Sequence, residues 1–401
     1  MKKLVFAMTL LSAAAAAQAQ SSVTLYGEID NGIAYESGLP HGHALTAETA
    51  DFIPSRFGIK GAEDLGGGTQ AIFQLESGIN TQNGALTIGS SLFNRNATVG
   101  LTNPVWGTFK MGNMGAYELS QDSFDVDPQL MQEYALATLV RGRNWAQAGN
   151  GLEYTSPEIH GLTVKGQYDL GNTTSWNQGN PGSVPGQLGN APGSGLPGST
   201  QGRSDGLKVM YIAGNLELLA IYDEIRDGNG QFDNVYLNSR SLLTGGTYTM
   251  GPVKVYAGYQ HLSAPDASNI GVYGTAGTPT TLPNGVSLPT AVDHEWLGAA
   301  WQITPATALT SGVYHANANN GNGNATMYTL GGTYNLTKRT FLYSEAAYLH
   351  NSSTSNIGLG DGYTDSYGAN INDDPASGST STAPNFGHSQ EGIYAGIVTT
   401  F

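Results

Sequence analysis

The sequence contains no cysteine, few charged residues and no long apolar segment after its N-terminus. Without cysteine, the chain has neither a disulfide framework nor a thiolate metal site. Charged residues make up 12% of the chain, about half the usual globular share, and the formal charge is −15. This charge, together with the absence of any run of Lys or Arg, argues against nucleic acid as a partner. No later segment has the 18 or so consecutive apolar residues of a membrane-spanning helix.

Glycine and tyrosine are abundant instead. The chain has 56 Gly and 17 Pro, both poor helix formers, and its 21 Tyr outnumber the 11 Phe and 5 Trp combined. A long helical bundle is incompatible with this composition. The composition therefore indicates an all-β protein.

The N-terminus has the features of a secretory signal. Lys2 and Lys3 precede an apolar stretch at residues 4–17, and Ala17-Gln18-Ala19 is a small-residue cleavage site. We therefore predict a signal peptide at residues 1–19 and an exported mature chain at residues 20–401. The two remaining destinations are a secreted soluble β-protein and an outer-membrane barrel.

Several segments alternate apolar and polar residues with the period of a β-strand. Residues 162–169, 253–260 and 393–401 each have one apolar face and one polar face. A transmembrane strand would turn its apolar face to lipid, whereas a soluble sandwich would bury it. Alternation alone leaves both folds open.

The connections between sixteen candidate strands alternate strictly between short and long. Long loops at one end and tight turns at the other are typical of an even-stranded outer-membrane barrel. The short connections are residues 63–68, 103–106, 156–161, 213–215, 250–252, 304–306 and 336–339. The long connections are residues 37–54, 78–91, 115–140, 171–204, 227–240, 263–292, 316–324 and 351–390.

A set of ordered motifs points to a known family. They are SVTLYG at 22–27, SRFGIKGAEDLG at 55–66, AIFQLESG at 71–78, LFNRNATVGL at 92–101, YTSP at 154–157, YNLTKRT at 334–340 and the terminal Phe401. Through them the chain resembles the general-diffusion porins of Gram-negative bacteria, most closely the trimeric sixteen-stranded type of beta-proteobacteria. The family tends to have a His and a basic residue before the final Phe, where this chain has Thr399-Thr400.

The resemblance implies an all-β fold: a sixteen-stranded antiparallel transmembrane barrel with short periplasmic turns, long extracellular loops and an infolded third loop. It also implies a homotrimer in the lipid bilayer of the outer membrane. The lumen would pass ions and small hydrophilic solutes by passive diffusion, without a cofactor or a metal. Phe401 would serve as the signal read by the outer-membrane assembly machinery.

In this family, acidic residues of the third loop face arginines on the barrel wall and constrict the pore. The third loop here is residues 115–140. The alternation of side chains along a strand, its parity, supports Arg56. Phe57 and Ile59 would face lipid, so Arg56 would point into the lumen. The basic candidates are Arg56, Arg95, Arg141 and Arg143, and the acidic candidates are Glu118, Asp122, Asp125 and Asp127.

The same parity places five lysines on the inner wall. Negative net charge favours cations in the pore and these lysines favour anions, so ion selectivity stays open. The five are Lys60, Lys110, Lys165, Lys208 and Lys254.

Other functions are weaker interpretations. The eight His do not accompany a recognisable hydrolase motif, so we expect no catalytic residues and no enzyme activity. The long fourth, sixth and eighth loops leave open a substrate-specific uptake channel or a loop-mediated adhesin.

Overall fold

The computed structural model describes most of the chain after residue 21. The described residues are 22–40, 42–49, 51–87, 92–114, 119–130, 132–140, 151–169, 201–227, 232, 235, 239–266, 289–319, 323–359 and 384–401. Within these ranges, no helix is long and apolar enough to cross a membrane. The predicted signal peptide lies outside the described residues.

The described chain contains seventeen β-strands and two short helices. The first ten strands are β1 (Ser22–Leu39), β2 (Gly42–Glu48), β3 (Arg56–Gly66), β4 (Thr69–Gly78), β5 (Asn96–Asn103), β6 (Gly107–Asn113), β7 (Gly151–Thr155), β8 (Leu162–Asp169), β9 (Gln201–Ala213) and β10 (Leu216–Asp227). The others are β11 (Arg240–Met250), β12 (Val253–Ser263), β13 (Ala291–Thr304), β14 (Thr307–Ala318), β15 (Ala325–Asn335), β16 (Thr340–Asn351) and β17 (Gln390–Thr400). A 3₁₀ helix covers Leu119–Val126, and α1 covers Leu136–Val140.

The strands form one closed antiparallel sheet. From β3 to β17 each strand pairs with the next in the chain, and β17 returns to pair with β1 from Glu28–Thr400 to Glu36–Gly392. The beginning of β1 pairs with β3. Closure leaves no strand of the wall with an open edge, so backbone groups are paired within the protein. The expectation of a sixteen-stranded barrel is confirmed, with one further strand added to it.

The additional strand is β2, which lies in the first long connection, predicted as loop at residues 37–54. β2 pairs with the end of β1, from Gly32–Glu48 to Leu39–Gly42. β1 continues beyond the start of β3, so its edge there offers unpaired backbone groups. Gly42, with φ of 112°, lets the chain turn back and satisfy them.

The short connections lie close to their predicted positions. Six of the seven match the gaps between consecutive strands to within one residue. The exception is residues 63–68, because β3 continues to Gly66 and leaves a turn of only Gly67 and Gly68. Both glycines have positive φ, 62° and 78°, which other residues rarely adopt.

The wall has one apolar face and one polar face, as the alternation indicates. On the outer face, Leu297 and Leu330 are 64% and 62% exposed, which suits contact with lipid. The residues that precede them on the strands, Trp296 and Thr329, point inward and are buried. They are buried because the chain between β6 and β7 folds back into the barrel, where its 3₁₀ helix contacts β9, β10, β11 and β12. The infolded third loop is thereby confirmed.

Candidate pore constriction

A buried carboxylate fixes the turn of the third loop. Asp127 is fully buried, and its Oδ1 accepts hydrogen bonds from the Tyr314 hydroxyl at 2.6 Å and from the Gln129 backbone N–H at 2.9 Å. Its Oδ2 accepts from the Leu136 backbone N–H at 3.1 Å. One side chain thus holds two parts of the loop to each other and to β14. Asp127 is therefore an anchor of the loop, with no surface exposed to the pore.

Further hydrogen bonds attach the loop to the far wall. The indole N–H of Trp296 donates to the Val126 carbonyl at 2.8 Å. The amide group of Gln129 donates to Thr329 at 2.8 Å and accepts from Thr310 at 2.6 Å. These bonds involve β13, β14 and β15, so the loop crosses the lumen before it reaches them.

Glycines on the inner wall provide the space in which the loop lies. A Cβ atom at Gly245 would lie 2.9 Å from Val126 Cγ2, and one at Gly298 would lie 2.5 Å from Pro128 Cγ. A Cβ atom at Gly392 would clash with the hydroxyl of Tyr134. Such distances are shorter than van der Waals contact, so only glycine permits this approach.

The end of the loop also contacts the first loop. The Glu133 backbone N–H donates to the carbonyl of Asp51 in the first loop at 3.0 Å. The neighbouring Tyr134 ring packs on Tyr394 of β17, with ring centroids 4.8 Å apart. Burial and the nearby Glu48 raise the pKa of the Asp51 carboxyl to about 7, with Asp30 and Glu36 acting in the same direction. The junction therefore carries a carboxyl whose pKa is raised by burial and by the acidic groups around it.

The 3₁₀ helix presents two acidic side chains to a pair of wall lysines. Asp122 Oδ2 lies 2.8 Å from Lys165 Nζ and 3.0 Å from Lys208 Nζ, and Asp125 Oδ2 lies 3.1 Å from Lys208 Nζ. Burial raises the pKa of Asp125, while the ammonium group of Lys208 acts in the opposite direction. Two acids and two lysines therefore form one cluster of balanced charge, the loop cluster.

A second cluster lies on β1, β3, β4 and the residue before β5. The Arg56 guanidinium is 3.0 Å from Glu28 and 3.9 Å from Glu76, and Arg95 Nε is 2.7 Å from Glu76 Oε1. The Tyr26 hydroxyl also donates to Glu76, at 2.7 Å. Two arginines and two glutamates again balance in charge. We call this group the arginine cluster.

The structure describes five of the eight predicted constriction residues. Arg56 lies on the inner face, where parity places it. On a continuous strand Arg95 would share the lipid-facing parity of Ala97, Val99 and Leu101, but β5 begins at Asn96. Because Arg95 precedes the strand, alternation does not apply to it and its side chain reaches Glu76. Arg141, Arg143 and Glu118 lie outside the described residues.

Sequence reasoning did not identify the partners of these charges. The parity of Lys165 and Lys208 indicated an inward direction, but nothing local connected them with the third loop. Glu28 and Glu76 also have inward parity, on strands whose motifs were recognised, and this signal could have found them. Among the described residues, no group of three His, Asp or Glu side chains is arranged to hold a metal ion.

Comparison with known proteins identifies the family. The model of the Gram-negative porin family matches residues 6–354 of the chain. The chain belongs to the Gram-negative porins. An outer membrane porin of Bordetella pertussis is 30% identical over 88% of this chain and 95% of its own length. Outer membrane porin protein 32 of Delftia acidovorans is 28% identical over 90% of this chain and 92% of its own length.

A solved structure agrees with the fold of this porin. The anion-selective porin from Comamonas acidovorans superposes with a TM-score of 0.70, at 22% sequence identity, over 95% of this chain and 100% of that one. The porin is accordingly an outer-membrane channel for passive diffusion. A specific uptake channel and an adhesin are not favoured by its relatives.

Proposed function

We propose that the loop cluster and the arginine cluster together line the narrowest part of this general-diffusion pore. The observation that carries the proposal is the third loop, which enters the lumen with Asp122 and Asp125 bound to wall lysines. Arg56 on β3 and Arg95 just before β5 are remote from the strands of those lysines, and both pair with glutamates instead. The aperture would thus be lined by two groups of paired charges.

Paired charges have a defined effect on solutes. Each cluster is formally neutral, so the aperture need not strongly exclude either sign of ion. The separated charges still create local fields, which order water and disfavour apolar solutes. These features suit small hydrophilic molecules and ions, and we propose that the protein acts on them by diffusion alone, without catalysis.

Single substitutions should unbalance the clusters and change ion selectivity. Arg56→Ser and Arg95→Ser should shift the reversal potential toward cation preference, since a glutamate then loses part of the positive charge that neutralises it. Asp122→Asn and Asp125→Asn should shift it toward anion preference. The measurement is the reversal potential of single channels under a salt gradient. Lys338→Gln, at an exposed short turn, changes charge by the same amount and should leave selectivity unchanged.

Arg95→Ser should also cost more stability than Arg56→Ser. Glu76 is buried, and Arg95 is its closest basic partner, at 2.7 Å. When a buried carboxylate loses one of its charged partners, the free energy of unfolding falls by about 1–3 kcal/mol. The selectivity test has a separate contrary outcome. If the two arginine variants and the two aspartate variants all match the parent in conductance and reversal potential, the narrowest part of the pore lies elsewhere.

We further propose that the porin is a homotrimer whose subunits meet at the first strands and the last. A solved OmpT of Vibrio cholerae with a similar fold (TM-score 0.56) is described in a trimer form. Val23, Leu25 and Ile33 of β1 and Ile397 of β17 are exposed apolar side chains available for such a contact. Before boiling, the detergent-solubilised protein should migrate at three times the mass of one chain. Migration as a single chain under mild conditions would contradict the trimer.

A further inference from the structure

A concave patch of the inner wall lies between the arginine cluster and the end of the barrel that carries the short turns. It has a volume of about 320 Å³ and spans β1, β3, β4, β5 and β6. Its lining includes Thr24, Lys60 and Lys110. Lys60 follows Arg56 by four residues on the same face of β3, which corresponds to about 13 Å along the strand. A solute that leaves the aperture therefore passes this patch.

The patch is concave because its centre lacks large side chains. Gly100 of β5 pairs with Lys110 of β6, and a Cβ atom at Gly100 would lie 3.0 Å from Lys110 Cγ. The stem of Lys110 therefore lies across the glycine. Ala62 and Ile72, which pair on β3 and β4, add a small apolar surface beside it.

One of the two lysines carries an uncompensated charge. Lys110 Nζ lies 2.7 Å from Glu153 Oε1, so this ammonium group is neutralised. Lys60 is exposed, and its Nζ lies 5.1 Å from the centre of the Tyr26 ring. In the described part of the chain, no carboxylate forms an ion pair with Lys60. Arg56, Arg95, Lys165 and Lys208 all have such partners, which distinguishes Lys60 from them.

A hydrogen-bond donor stands beside this free charge. Thr24 and Lys60 are cross-strand partners on the same face, so their Cβ atoms are about 5 Å apart. Among the described residues, the Thr24 hydroxyl has no hydrogen-bond partner. The neighbouring amide of Gln74 already donates to Tyr26, at 2.7 Å. An ammonium group and a hydroxyl at this separation can both donate to one carboxylate.

We propose that this patch is a binding subsite for small carboxylates with a short apolar stem. The carboxylate accepts hydrogen bonds from Lys60 and Thr24, and the stem lies against Ala62 and Ile72. The inference rests on the proposed diffusion pore, to which it adds a preferred class of solute. Binding is weak, since the ammonium group is exposed, and an occupied site neutralises the charge that Lys60 otherwise presents to chloride.

Single-channel recording with sodium butyrate as the probe tests the subsite. Added to potassium chloride, butyrate should reduce the chloride conductance in a saturable way, whereas the uncharged butyramide should not. Lys60→Gln should raise the half-saturating butyrate concentration about fivefold, the ratio that corresponds to an exposed ion pair of ~1 kcal/mol. Lys60→Arg should keep the response, and Thr24→Val should weaken it.

Lys338→Gln is the matched control, because it removes one positive charge outside the patch and should respond as the parent does. Equal responses of Lys60→Gln and the parent would overturn the subsite, as would equal effects of butyrate and butyramide. In that case channels still form in potassium chloride, and the proposed pore stands. A chain that forms no channels would overturn both.

Discussion

Replacing Asp127 by alanine should release the third loop from the barrel wall and increase the single-channel conductance. The substitution removes the acceptor for the Tyr314 hydroxyl and for the Gln129 and Leu136 backbone N–H groups. Leaving buried donors unpaired costs about 1–3 kcal/mol each, and the loop has few other ways to satisfy them inside the barrel. The expected loss is therefore several times that of a surface substitution.

The strand pairing of the wall does not depend on Asp127, so the variant should retain its β-rich circular dichroism. Recordings in a planar bilayer should show larger and noisier channels. Asp127→Asn preserves one carbonyl oxygen as an acceptor and should give an intermediate effect. Asp122→Asn removes an acid of the same loop that faces the wall lysines, so it should shift ion selectivity without making the channel noisier. If Asp127→Ala has the conductance and noise of the parent, the loop is held by its other contacts.

Deleting Phe401 should sharply reduce the amount of folded protein in the outer membrane. The Phe401 N–H donates to the Gly27 carbonyl at 3.0 Å, and the Gly27 N–H donates to the Phe401 carbonyl at 3.1 Å. These two bonds continue the pairing of β17 with β1 at the end of the seam. Their loss costs a folded barrel about 2 kcal/mol. We propose that the terminal aromatic residue is also the feature that the assembly machinery reads, and we therefore expect assembly to suffer more than the finished pore.

Comparison of two variants separates these effects. Phe401→Ala keeps both backbone hydrogen bonds and removes only the ring, which lies outward and is half exposed. If recognition dominates, Phe401→Ala and the deletion should lower outer-membrane levels to a similar extent, measured on unboiled membranes. Refolded in detergent, both proteins should form channels of parental conductance. Parental outer-membrane levels of the deletion variant would contradict the assigned role.

The strand order and the turns could be predicted because they depend on local patterns. Alternation with a period of two marks the two faces of a strand wherever it lies in the chain, and Gly67 and Gly68 identify a tight turn through their own backbone freedom. Strand β2 could not be predicted in this way. It forms because the end of β1 extends beyond β3 and offers an open edge, which is a property of the assembled sheet.

The candidate site was predictable only in part. The sequence determined that Arg56 faces inward, that five lysines share this direction and that the third loop is acidic. The tertiary structure decided which charges meet. Lys165 is 43 residues from Asp122, and Tyr314 is 187 residues from Asp127. These pairs form because barrel closure brings β14 and the loop together, and because wall glycines leave room for it. Asp122 and Asp127 are both acids of one loop, but the packing pairs Asp122 with two wall lysines and buries Asp127 as an anchor.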